Sequence, residues 1–150
     1  LPMTQLKKYA KYTSLILTFV WIGVIFSFSL QNGSLSSLQS GFFSTRIHQF
    51  LLSMGMNISK STVSFIIRKG AHFTEFFILG CLSAKSTLDL NSRRYLPLIF
   101  LVPIMDEFIQ SFVPDRAMSI YDMGIDASGI IFGLLFVKLL TSFLTKKAKL

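Results

Sequence analysis

The chain has 150 residues, about one domain's worth, yet 51% of them are hydrophobic and its mean hydropathy is +0.59, more than a soluble core of this size requires. Sixteen Phe against a single Trp, with 15% charged residues, fit helices that face acyl chains and exclude a disordered or fibrous chain. The formal net charge of +8 does not point to nucleic acid, because the basic residues form short clusters between apolar runs, with no basic face and no interleaved aromatics.

Lys7, Lys8 and Lys11 precede an apolar run from about Tyr12 to Leu30. A secretory signal begins the same way, but the run is close to the roughly 20 residues that span a bilayer, and no small-residue cleavage site follows. It reads as an uncleaved anchor. Met3-Thr4-Gln5 reads as a native start behind Leu1 and Pro2. Gln31 to Gln39, rich in Ser, Asn and Gly, reads as a loop. From Phe42 to Met56, the apolar residues Phe43, Ile47, Phe50, Leu51 and Met54 recur at helical spacing among Thr45, His48, Gln49 and Ser53, which predicts an amphipathic helix at the membrane interface. His48 is then a polar-face residue. Gly55 and Asn57 offer a stop, and Ser59 or Ser61 a cap for the next helix.

The second span, about 61–84, carries Arg68, Lys69, His72 and Glu75 in its first half, and only Phe76 to Ala84 is free of charge. That remainder is too short to cross a bilayer. The charged half must pack against other helices or line a watered cleft, since an isolated charge at bilayer depth costs roughly 2.5–3.5 kcal/mol on insertion scales. Cys81, the single cysteine, rules out a disulfide framework or thiolate zinc site and reads as a small buried hydrophobe. The third span, about 94–113, places Asp106, Glu107 and Gln110 in its last third, and Pro97 and Pro103 weaken or kink it. The fourth, about 121–144, begins with Asp122 and Asp126 and is then apolar apart from Lys138. The expected fold is all-α: one transmembrane domain over residues 1–150, a bundle of about four helices with an amphipathic interfacial helix between the first and second.

Lys and Arg beside the spans set the orientation. One side receives Lys7, Lys8, Lys11, Lys85, Arg93, Arg94, Lys138, Lys146, Lys147 and Lys149; the other receives Arg46, Lys60, Arg68, Lys69 and Arg116. Both termini are therefore expected in the cytoplasm, and every acidic residue except Asp89 falls toward the outer half.

Helical spacing says which groups can meet. Arg68, His72 and Glu75 share a row; so do Asp106 and Gln110, with Glu107 turned about 100 degrees away. Asp122 and Asp126 form a third row that continues through Gly129 and Gly133, where a neighbouring backbone can approach closely. These groups either neutralise one another as staples between helices or build a functional site. A pure staple needs fewer charges, which favours the site. Within it, Arg116 is a fork of donors suited to a carboxylate or phosphate, or else a partner of Asp115 or Asp122. His72 with Glu75, Asp106, Glu107, Asp122 or Asp126 could hold a hard divalent cation, magnesium, manganese or calcium better than zinc. No known metal motif repeats, no nucleophile stands at a recognisable spacing from a base, and neither a catalytic role nor a cofactor can be assigned.

In motif order the chain resembles the VanZ-like family, named for a teicoplanin resistance determinant. The first span ends in Phe26-Ser27-Phe28-Ser29-Leu30-Gln31; next come Lys69, His72 and Glu75; then Asp106, Glu107 and Gln110; then Pro114, Arg116, Ser119 and Asp122; and last Asp126 before Gly129 and Gly133. The resemblance runs from about Leu15 to Phe136. Two residues depart from it: Asp115 stands where the family usually has Gly, and Phe76 where Tyr is common.

The resemblance implies a multi-pass cell-membrane protein of a Gram-positive envelope that confers or modulates resistance to a lipoglycopeptide such as teicoplanin, which carries an acyl chain and works at the membrane surface. It implies Lys69, His72, Glu75, Asp106, Glu107, Gln110, Arg116, Ser119, Asp122 and Asp126 as the site. Partners beyond the bilayer would be the antibiotic or a lipid-linked cell-wall precursor. Binding of a polar headgroup without chemistry is one reading; a membrane-embedded metal-dependent hydrolase or transferase acting on a lipid-linked phosphate is the alternative. A structural partner of other membrane proteins is a third.

Overall fold

The computed structural model describes residues 3–147, with nothing described for the side chains of residues 3–11, 35–37 and 39. Leu1, Pro2 and Lys149, which entered the reading of the start and the charge count, lie outside the described residues, as do the side chains of Lys7, Lys8 and Lys11. The described chain is all helix and turn: α1 (Met3–Ser29), α2 (Gly33–Ser53), α3 (Lys60–Leu90), α4 (Leu96–Ile99), α5 (Leu101–Gln110) and α6 (Ile120–Lys147). Two stretches, Tyr12–Ser29 and Ile120–Lys147, are long and apolar enough to cross a membrane.

Contacts fix the directions. Phe73 and Phe77 of α3 meet Gly129 and Gly133 of α6 in the same order, so these helices run parallel. α1 runs against α3: Ser14 Oγ, early in α1, donates to Asp89 near the end of α3 (2.7 Å), while Trp21 Nε1 donates to the Glu75 carbonyl (2.9 Å). Tyr95, just before α4, donates to the Ser83 carbonyl (3.0 Å), and α5 ends near the C-terminus of α1, where Ser29 Oγ bonds Asp106. The end of α1, the middle of α3, the end of α5 and the start of α6 therefore share one end of the bundle.

Glycines set the closest contact. A Cβ built on Gly133 would lie 2.2 Å from the Phe77 carbonyl oxygen, one on Gly80 2.3 Å from that of Ile130, and one on Gly129 2.6 Å from that of Phe73. Only hydrogen at these positions lets the two backbones touch. Cys81 belongs to the same seam, its Sγ 3.6 Å from the Gly133 carbonyl. Around the seam Ile25, Phe76, Leu79, Ile99, Val102 and Ile130 form the apolar core. Elsewhere polarity is inverted: Ser14, Thr18, Ser29, Ser83, Ser86, Asp106, Glu107 and Asp126 are buried, while Phe19, Phe112, Phe132, Leu139 and Phe143 face outward.

Local signals explain the ends. Ser59 caps α3 by accepting from the Thr62 amide (3.1 Å). Gly55, at φ 80, closes α2, with the Met56 amide bonding back to Leu51 O (3.0 Å). Asn91 takes the left-handed conformation after α3. Three expectations need correction. The segment 31–39 is not a loop: α2 begins at Gly33, because serines without proline merely weaken a helix, and the Gly33 amide donates to Pro114 O (3.3 Å). The second span is one helix continuing to Leu90. The third is broken at Phe100, where Pro103 has no N–H for the Ile99 carbonyl and its ring crowds it.

Substituting Gly133 or Gly129 by Ala is expected to lower stability by about 1–3 kcal/mol, the usual cost of overpacking. Gly23→Ala and Gly70→Ala, whose added Cβ would meet nothing within 4 Å, are expected to be neutral or slightly stabilising. Thermal unfolding in detergent measures the difference.

Candidate functional site

A cleft of about 810 Å³ opens at the shared end of the bundle, lined by Phe28, Ser29 and Gln31 after the α1 core, Gly33, Ser34, Ser40 and Phe43 of α2, Phe65, Ile67, Arg68, Lys69, His72 and Glu75 of α3, Gln110, and the turn bearing Asp115 and Arg116, with Asp122 of α6. Asp106, Glu107 and Asp126 are fully buried beneath it. Nine of the ten residues singled out from the sequence thus lie in or directly below one chamber, and the tenth, Ser119, frames the start of α6.

Most of them have a describable role. Lys69 Nζ pairs with Asp122 and sits over the Phe65 ring (5.4 Å), joining α3 to α6. Asp106 receives Gln110 Nε2 (2.6 Å) one turn along its own helix and the Ser29 hydroxyl from α1. Glu107, turned toward the other side, accepts the Ser119 amide at Oε2 (2.7 Å). Ser119 Oγ in turn accepts from the Asp122 amide (3.3 Å). This is a capping box divided between helices: the carboxylate that usually comes from the helix's own third residue is supplied by α5, leaving Asp122 for Lys69. His72 Nδ1 stands 3.6 Å from Asp126 Oδ1, too far for a hydrogen bond.

Arg116 forms no ion pair within 4.0 Å among the described residues, so neither Asp115 nor Asp122 is its partner. Its Nη1 reaches the Ser29 carbonyl at the end of α1 (3.5 Å), leaving most of the fork in the cleft. Asp115 adopts φ 63, a region that glycine enters without cost. That accounts for Gly as the usual family residue there. Asp115 also abuts Gly33, where a Cβ would lie 2.7 Å from the Asp115 carbonyl oxygen. Phe76, the other departure, is fully buried in the core, where a tyrosine hydroxyl would need a partner.

The sequence reading missed the contribution of α1, taken as little more than an anchor: Ser29 holds Asp106, and Gln31 lines the cleft. The signal was present in the Phe26 to Gln31 segment at the end of α1 that carries part of the family resemblance. His48, on α2, is not among the cleft-lining residues.

Apolar side chains outside, polar side chains within and a charged cleft at one end define a helical membrane protein built around a polar chamber. A family model described as VanZ/LLP1 matches residues 14–141, and the chain belongs to that family. Comparison with curated proteins and with solved structures returned no match.

Ser119→Ala is expected to cost about 1 kcal/mol, the usual loss of a helix cap, and Ser119→Asp to retain it. Asp115→Gly is expected to leave the melting temperature unchanged or raise it, because the strained φ is relieved. Both are read by thermal unfolding of purified protein.

Proposed function

We propose that this protein is a four-span component of the cell envelope, both termini cytoplasmic, whose cleft opens to the outer surface and binds an anionic headgroup carried on an apolar chain. A lipid-linked cell-wall precursor or an acyl-bearing lipoglycopeptide such as teicoplanin has that chemistry, and engagement of either would modulate susceptibility to the antibiotic.

The observation that carries this reading is the mixed lining of the cleft. Arg68 and Arg116, which form no ion pair among the described residues, supply positive charge beside Phe28, Phe43, Phe65 and Ile67, and Lys69 adds a cation shared with Asp122. Arginine's planar fork suits phosphate or carboxylate oxygens, and the aromatic wall suits the first methylenes of an acyl chain. Helix directions support four spans: α1 runs one way, α3 returns, α4 with α5 crosses again, and α6 returns parallel to α3. From Lys69 to Asp89 α3 rises about 30 Å, the thickness of a hydrocarbon core. Clusters at Lys85, Arg93 and Arg94 and at Lys146 and Lys147 fall at the end opposite the cleft, the end that positive charge retains in the cytoplasm. Membership in the VanZ/LLP1 family is consistent with a resistance-type role.

Arg116→Ala is expected to weaken binding of a lipid-linked phosphate in nanodiscs about tenfold or more, since a charge-assisted hydrogen bond contributes about 1.5–3 kcal/mol. In a susceptible Gram-positive host it should abolish any rise in teicoplanin resistance at equal membrane abundance. Well-expressed Arg116→Ala and Lys69→Ala variants with full binding and resistance would refute the proposed site. Orientation has its own check in a Cys81→Ser background: a membrane-impermeant maleimide added to intact cells should label Met118→Cys but not Arg93→Cys.

A further inference from the structure

The deepest polar groups of the chamber are not used by headgroup binding. His72, Asp106 and Asp126 each offer a ligand atom, and these atoms lie within 4.8 Å of one another. Asp126 is fully buried, and neither of its carboxylate oxygens has a hydrogen-bond partner among the described residues; His72 Nδ1 also lacks one. An ionised carboxylate without partners is among the costliest groups to bury. Its neighbours do not neutralise it: Lys69 is committed to Asp122, and two further carboxylates, Asp106 and Glu107, are buried nearby.

We infer that these three side chains form a divalent cation site at the floor of the cleft, with manganese as the class of ion that fits best. A cation about 2.0–2.2 Å from each donor spaces adjacent donors about 3 Å apart and opposite ones up to about 4.4 Å; His72 Nδ1 and Asp126 Oδ1, 3.6 Å apart, already lie in that range, and no pair in the trio is beyond 4.8 Å. One imidazole nitrogen with two carboxylates is softer than the all-oxygen cages calcium takes and harder than a thiolate zinc site. Asp106 is already oriented by Ser29 and Gln110, the outer support that metal ligands commonly have. The α3–α6 seam fixes His72 opposite Asp126, since its first backbone contact joins Phe73 to Gly129, one residue after His72 and three residues after Asp126. His72 is partly exposed and lines the cleft, providing an entry path and leaving the remaining coordination positions to water.

The test uses the full chain in nanodiscs, stripped with chelator and labelled at its two histidines, His48 and His72. On titration with Mn²⁺, the His72 imidazole resonances should broaden at substoichiometric ion while those of His48, on α2, stay sharp. Electron paramagnetic resonance should show one saturable Mn²⁺ per chain, with Zn²⁺ competing more effectively than Ca²⁺. Asp126→Asn, nearly isosteric, should weaken binding at least tenfold, a change of about 1.4 kcal/mol, and Asp89→Asn, near the opposite end of α3, should not. Absence of saturable binding, equal broadening of both histidines, or wild-type affinity in Asp126→Asn would each overturn the site. The wild-type histidine spectra decide the matter even if Asp126→Asn fails to fold, and they do so whether or not a headgroup binds.

Discussion

Backbone contact between α3 and α6 is the constraint on which the rest of the molecule depends. Gly80, Gly129 and Gly133 keep side chains out of the points of closest approach between the helices, so dispersion between backbones replaces the hydrophobic effect that lipid cannot supply. That contact fixes the lateral and axial register of two parallel helices. Register then decides that Lys69 meets Asp122 and that His72 faces Asp126. α1, α4 and α5 close the other side, held by Ile25, Ile99 and Val102 against Phe76, Leu79 and Ile130.

Given that register, charge can be buried because most of it is shared between helices. Asp106 is answered from α1 and from its own next turn, Glu107 from the amide that opens α6, and Asp122 from α3. Apart from the Gln110–Asp106 bond within α5, each of these bonds ties two elements together as it satisfies a polar group, so the end of the bundle is organised by polar contacts and its middle by glycine packing. Asp126 departs from this pattern, buried with no such donor. Cost without compensation in the protein is what separates a ligand-directed group from a staple.

Much of this was legible in the chain because it depends on spacing alone. Asp126, Gly129 and Gly133 lie on one stripe, and a stripe of that kind announces a close helix contact; Ser59 and Gly55 mark helix ends by local chemistry. The partner glycine, Gly80, was readable on the same grounds, one turn before Ala84, but was masked by the apolar run around it. Other features depend on tertiary contacts that no spacing encodes. α2 starts at Gly33 because the Pro114 carbonyl and the Asp115 backbone stand against it. The bond from Ser29 to Asp106 joins residues 77 apart, and Glu107 reaches the cap of a helix that begins after an intervening turn. Proline gave the break in the third span but not its consequence, a short α4 ahead of α5.

The parallel α3–α6 seam is tested most directly by cross-linking. The Phe77 and Phe136 rings pack with centroids 5.6 Å apart on its flank. In a Cys81→Ser background, Phe77→Cys paired with Phe136→Cys should form a disulfide under mild oxidation. After cleavage at Met105, Met118 and Met123, the fragments bearing the two cysteines should then stay joined until reductant is added. Ile66→Cys paired with Phe136→Cys, three turns away along α3, should not link. Failure of the first pair to link, or equal linking of the second, would contradict the seam and with it the placement of every group in the chamber.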